Sequence, residues 1–158
     1  MQLLRPSPGE CVDRQTILRI KIQEAAKTGL DCRHFGDEDG ELQLYLEKTW
    51  FQAATGAQVE QLELFSAELK KVNQSLWDLE NKIRNLKLLS TEERDKRTKD
   101  IVSIALAIPE LNDERARLVA VINSLFGLMA QEKLYLQHPC RSVPARLPPE
   151  AANSQSGR

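Results

Sequence analysis

Eight ionisable side chains stand where helical geometry aims them away from a solvent face. Along the first amphipathic stretch these are the acids Glu10, Asp13 and Glu24 and the bases Arg14 and Lys21. On two later stretches they are Glu80 and Arg84, and then Arg115, which takes a position in the middle of an apolar arc. At 100° per residue, each is interleaved with aliphatic neighbours such as Ile17, Leu18, Leu76 and Leu118. A buried charge without a partner costs several kcal/mol, so the set must find itself, a ligand or water. Two chemistries fit. One is an inter-helix network of ion pairs that fixes the register of packing. The other is a polar pocket in which the arginines clamp a carboxylate or a phosphate. Four acids face four bases, and this equality favours the network, because an anion site needs surplus positive charge. Asn73 and Asn112 would supply neutral hydrogen bonds in either case.

Other reactive residues point to little. Cys32-Arg33-His34 and His138-Pro139-Cys140 mirror one another and could in principle form a Cys2His2 zinc site, but one-residue spacing is atypical for zinc. No metal site is expected. Asp37-Glu38-Asp39-Gly40 lacks the alternating ligands of a calcium loop and reads as a solvated turn. No glycine-rich phosphate loop and no nucleophile elbow occurs, so no cofactor is expected and no catalytic residue can be named. Arg94, Lys96, Arg97 and Lys99 alternate with acids, which describes a solvated helix start rather than a nucleic-acid patch. Tyr45, Trp50 and Phe51 read as core aromatics.

The elements that position the charges are helices. Between Gly9 and His138 the only proline is Pro109, and the stretch is rich in Leu, Glu, Lys and Gln. Ser7-Pro8-Gly9-Glu10 is a capping box with proline at the first helical position, and the helix it opens runs to about Lys27, before Thr28-Gly29. Gln15, Arg19 and Gln23 mark its clear solvent face. A loop is expected over 30–40 and a short helix over 41–54, ended by Gly56. Leu62, Phe65, Leu69, Val72, Leu76, Leu79, Ile83 and Leu86 then repeat at alternating spacings of three and four, a sustained heptad seam. Ser90 and Glu93 form a second capping box, and a matching seam runs from Ile101 through Ile108, Arg115 and Ile122 to Met129. That register passes through Pro109, which predicts a kink rather than a break. The short link between the two seams makes them an antiparallel hairpin, and the first helix must cover its exposed face.

The chain has 158 residues with 22 Lys+Arg against 23 Asp+Glu. The length suits one domain, and the balance excludes a polybasic nucleic-acid binder. No apolar run approaches the roughly 20 residues of a membrane span, and the first residues are too short and interrupted for a signal peptide. Three widely spaced cysteines argue against a disulfide framework. The expected location is therefore cytoplasmic, with no nucleic-acid and no membrane partner.

The residues that carry the charges also carry a resemblance. The run from Pro8 to Lys21 (PGECVDRQTILRIK) resembles the PGE-x-x-D-[KR]-x-TIL opening of an uncharacterised bacterial all-helical family, a domain of unknown function. Leu76 to Arg84 (LWDLENKIR) resembles its LW-x-x-E-x-x-x-R helix, and Leu111 to Arg115 (LNDER) its N-D-x-R turn. The three motifs occur in the right order over about residues 7 to 127, while the Cys32 loop and Pro109 depart from the pattern. The resemblance implies an intracellular helical protein, often encoded near glycosyltransferase or cell-surface polysaccharide genes, and no established activity. The inward Arg, Lys and Glu also give a likeness to the helical chorismate mutases. There Arg14, Lys21, Arg84 and Arg115 would hold a dicarboxylate and Glu80 would be the polar partner. The motif spacing of that family does not match.

The reading is therefore an all-α antiparallel bundle of three to four helices built on a long helical hairpin. It places an N-terminal extension at 1–6, the bundle at 7–137 and a Pro/Ser-rich disordered tail at 138–158. The expected function is a helical interaction or assembly module with an interior charged network, acting as a homo-oligomer or with a protein partner. The alternative is a bundle that binds a small anionic ligand, with enzymatic activity open. Its pocket would comprise Glu10, Asp13, Arg14, Lys21, Asn73, Glu80, Arg84, Asn112 and Arg115.

Overall fold

A computed structural model describes residues 5–128. The expected tail at 138–158 and the boundary before it lie outside these residues, as do His138 and Cys140. The fold is all-α: α1 (Pro8–Thr28), α2 (Arg33–Thr49), a single 3-10 turn (Phe51–Ala53), α3 (Gly56–Lys87), α4 (Thr91–Lys96) and α5 (Thr98–Leu125). No strand occurs among the described residues.

The first helix starts where its capping box predicts. Ser7 Oγ accepts from the Glu10 backbone N–H, and the Glu10 carboxylate accepts from the Ser7 N–H at 2.8 Å. It ends at Gly29, whose φ of 69° suits a residue without a Cβ. Gly9 has a second role. Its N–H donates to Asn123 Oδ1 at 2.8 Å, and a Cβ there would overlap the Val119 carbonyl oxygen. Glycine thus lets α1 lie directly against the backbone of α5.

Contacts along the helices fix their directions. Gly9 meets Asn123 while Asp13 meets Arg115, so α1 and α5 run antiparallel. The Gln58 amide donates to the Leu125 carbonyl at 2.6 Å, which joins the start of α3 to the end of α5 and makes these two antiparallel as well. The hairpin of α3 and α5 is the largest helix pair, and α1 lies on it, as the seams predict. Leu69 from α3, Leu118 and Ile122 from α5, Cys11 and Val12 from α1 and Leu46 from α2 form the core. Tyr45, Trp50, Phe51 and Phe126 close its lower end; the Phe126 ring centroid lies 6.2 Å from Trp50 and 5.7 Å from Phe51.

Three expectations about elements need correction. The stretch 33–40 is not a loop, because α2 begins at Arg33, and Asp37-Glu38-Asp39-Gly40 is helical rather than a turn. Its glycines are tolerated because both Gly36 and Gly40 are exposed, while its acids pair with α1. Gly56 does not so much end a helix as begin one. Thr55 caps α3 with Gln58 in a reciprocal box, and the preceding helix already stops at Thr49. The segment opened by Ser90 is broken at Arg97 into α4 and α5. All of 91–100 is exposed, so no apolar burial holds that run in one helix. By contrast α5 runs through Pro109 unbroken. Ala105, whose carbonyl would have accepted the missing N–H, is exposed and can bond water instead.

Candidate functional site

Where α1, α3 and α5 meet halfway along the bundle, the apolar core is interrupted by one polar layer. Asp13 of α1 is its centre. Arg115 of α5 approaches it side-on, with Nε donating to Oδ1 at 2.8 Å and Nη2 to Oδ2. Asn73 of α3 donates its amide to the same Oδ1 at 2.8 Å and to Thr16 Oγ1 at 2.7 Å. The Thr16 hydroxyl in turn donates to the Asp13 carbonyl at 2.7 Å, one turn back along α1. Asn73 is 3% exposed, and the side chains of Asp13 and Arg115 are 13% and 33% exposed. The fork-on geometry is the strong form of the Arg–carboxylate pair, and the bond to Asp13 raises the Arg115 pKa above its ordinary value. Burial opposes that shift, and the charges of Asp13 and Glu80 reinforce it.

Of the nine predicted residues, the layer brings together Asp13, Asn73 and Arg115. The other six have separate local roles. Glu10 is exposed and caps α1. Arg14 points to the α2 side and holds Glu38 through two bonds of 2.7 and 3.0 Å. Lys21 lies 5.1 Å from the centroid of the Phe35 ring. Glu80 and Arg84 pair along the exposed side of α3 at 3.2 Å, and Asn112 is exposed and donates to the Ile108 carbonyl at 3.0 Å. Glu24, also counted among the inward charges, pairs with Lys27. The angular argument placed these groups inside because it assumed one inner arc per helix; α1 in fact packs α2 on one flank and α3 with α5 on the other. Of the four cations proposed for a dicarboxylate, Arg14 and Lys21 thus turn to Glu38 and Phe35 of α2, Arg84 pairs with Glu80, and Arg115 alone enters the layer.

Of the expected solvent face of α1, Arg19 and Gln23 are exposed, but Gln15 is not. Gln15 is 4% exposed beneath α2, donating to the Asp39 carbonyl at 3.3 Å and to Gln43 Oε1 at 3.2 Å. Arg19 beside it pairs with Asp39 at 3.1 Å. Sequence reasoning missed Thr16, Gln15, Glu38, Asp39 and Gln43. Thr16 was findable, lying three residues after Asp13, but Glu38 and Asp39 were hidden by reading their segment as a loop.

Two grooves open on the bundle, and neither is lined by Asp13, Asn73 or Arg115, although Thr16 of the layer lines the first. One, of 570 Å³, runs between α2 and α3 over α1, with Val12, Leu46 and Leu62 in its floor and Arg19 and Lys70 on its sides. The other, of 640 Å³, lies between the end of α3 and the start of α5, beside Leu79, Leu86 and Ile104. Cys11 is fully buried, and burial with the nearby Glu10 charge pushes its thiol up to about 11, so it is no nucleophile at neutral pH. Among the described residues no cluster of His, Cys, Asp and Glu could hold a metal ion, and no helix is long and apolar enough to cross a membrane.

Fold and site together define an all-α bundle in which a half-buried ion pair joins α1 to α5. In comparison with known proteins, no family model, no curated protein and no solved structure matches the chain.

Proposed function

We propose that this chain is a helical interaction and assembly module that acts in the cytoplasm. In this reading the Asp13–Arg115 layer sets the packing of the bundle, and the outer helix faces meet a protein partner or a second copy. The observation that carries it is the set of three bonds that Asp13 accepts, two from Arg115 and one from Asn73. A carboxylate so bound is poorly placed to act as a base, and the guanidinium edge that would clamp a ligand is already turned onto it. The resemblance of the α1 opening to an uncharacterised bacterial family agrees with this reading and adds no activity to it.

A second reading, a bundle that binds a small carboxylate or phosphate, draws on the 570 Å³ groove, where Arg19 and Lys70 stand beside an apolar floor. Thermal-shift titration with small carboxylates and phosphates, beside light scattering of the full chain, separates the two. The assembly reading expects a mass above that of the monomer, or a stable complex with a partner, and no saturable shift. A saturable ligand shift on a strict monomer overturns it.

A further inference from the structure

The 570 Å³ groove is where the bundle lacks a helix. α2 and α3 flank α1 without packing closely on each other, so the strip of α1 between them stays open. Val12 and Leu46 form the floor, and Phe51, Val59 and Phe126 line the mouth. The charged residues along it are Glu63, midway, and Arg19 and Lys70 at the far end; Arg19 is already paired with Asp39. From Val59 to Lys70 the groove follows about 17 Å of α3. The chain leaves α5 at the mouth. Gln58, beside Val59, holds the Leu125 carbonyl at 2.6 Å. Gly127, with φ 75°, and Leu128 then close a Schellman turn by donating to the Ser124 and Asn123 carbonyls, each at 3.1 Å. The following residues, Met129–Gln137 (MAQEKLYLQ), include no glycine or proline, and Pro139 bars a helix from continuing beyond them.

We propose that Met129–Gln137 folds back as a helix onto this groove, parallel to α3, and closes it as the fourth helix around α1, α2 and α3. The proposal goes beyond the assembly reading and does not depend on it. A helix of that length rises about 14 Å, which fits the groove. At 100° per residue Met129, Ala130, Lys133, Leu134, Leu136 and Gln137 share one arc of about 160°, while Gln131, Glu132 and Tyr135 lie opposite. With that arc on the groove, Met129 stands level with Val59 and Lys133 level with Glu63. The carbonyl end of the helix then faces Arg19 and Lys70, where its dipole favours cations. Each charge of the groove thus meets an opposite one, and Glu132 stays in water. Leu128 alone joins the turn to the segment, and so short a tether gives an effective concentration of about millimolar. That tether, with the match of length and charge, is the argument for this segment over the helix of a separate partner.

Zero-length cross-linking of the full chain with a carbodiimide tests this, read by peptide mass spectrometry on an equal mixture of nitrogen-15-labelled and unlabelled protein. The wild type is expected to give a Glu63–Lys133 amide whose two halves carry the same label. Leu134→Asp sets a charge on the face turned to the groove and is expected to lower the yield of that link about tenfold or more. No Glu63–Lys133 link in the wild type, or an equal yield in Leu134→Asp, overturns the proposal. Links that join labelled to unlabelled chains also overturn it, because the groove then holds the segment of a second copy, a result that supports the assembly reading. Should Leu134→Asp fail to fold, Val59→Cys carries the test. A thiol at the covered mouth is expected to react about tenfold or more slowly with a thiol reagent than partly exposed Cys32, and equal rates overturn the proposal.

Discussion

Replacing Arg115 with Leu removes both charge-assisted bonds to Asp13 and leaves that carboxylate, 13% exposed, with Asn73 as its remaining side-chain donor. Breaking a buried ion pair by deleting one partner costs about 3–5 kcal/mol, chiefly from the stranded charge. Arg115 is itself 33% exposed, so water reaches part of the site and the expected loss falls to about 2–3 kcal/mol. For a chain of this size that lowers Tm by about 4–12 °C. Urea denaturation followed by circular dichroism at helical wavelengths measures it, and a double-mutant cycle with Asp13→Asn isolates the pair. Asp13→Asn removes the charge that Arg115→Leu would strand, so the double variant is expected to be more stable than the sum of the singles predicts, by roughly 1–3 kcal/mol. A loss below about 0.5 kcal/mol for Arg115→Leu, or strict additivity in the cycle, would refute the claim that the two groups satisfy each other.

Other consequences follow from single contacts. Gly9→Ala drives a Cβ into the Val119 carbonyl oxygen and is expected to destabilise by about 1–3 kcal/mol in the same assay, whereas Gly36→Ala, where a Cβ meets nothing, is expected to be neutral or stabilising. Hydrogen bonding to Arg14 holds the Glu38 carboxylate below its ordinary 4.5, so its NMR titration midpoint is expected below that value and Arg14→Ala should return it. Because the folded pKa is depressed, this pair supports the α1–α2 contact above the ordinary carboxylate value and loses that effect as pH falls through the folded pKa. Buried Cys11 is expected to resist a thiol reagent at neutral pH until the chain unfolds, while Cys32, partly exposed, reacts at once; peptide mass spectrometry of labelled protein distinguishes them.

Much of the fold was legible because it rests on periodicity. Leu69, Leu76 and Leu86 of the first seam and Leu118 and Ile122 of the second are buried, and two capping boxes, Ser7–Glu10 and Ser90–Glu93, placed two helix starts, whereas a third, Thr55–Gln58, was overlooked. The second half of α2 was legible as a helix from 41 on, but its start at Arg33 was not. Gly36, Asp37, Asp39 and Gly40 have low helix propensity, and their segment is continuous with a helix whose Leu46 lies in the core and whose Glu38 and Asp39 pair with Arg14 and Arg19 of α1. The break at Arg97 was equally hidden, since a capping box specifies a start and not a length. For the site, a seam position occupied by Arg115 pointed to a buried partner, and Asp13 is that partner. The other charges misled because a long side chain at the edge of an apolar arc can reach solvent or a neighbour on its own helix, as Glu80 and Arg84 do.

The central claim is that Arg115 is closed onto Asp13 and not held open for a ligand. The most direct measurement is the nitrogen-15 NMR resonance of the Arg115 side chain, assigned by its loss in Arg115→Leu, while phosphate or acetate is added. The account predicts an Nε proton that exchanges slowly with water and a resonance that does not move with either anion. An Nε proton that exchanges freely, with a saturable shift on adding phosphate or acetate, would contradict it.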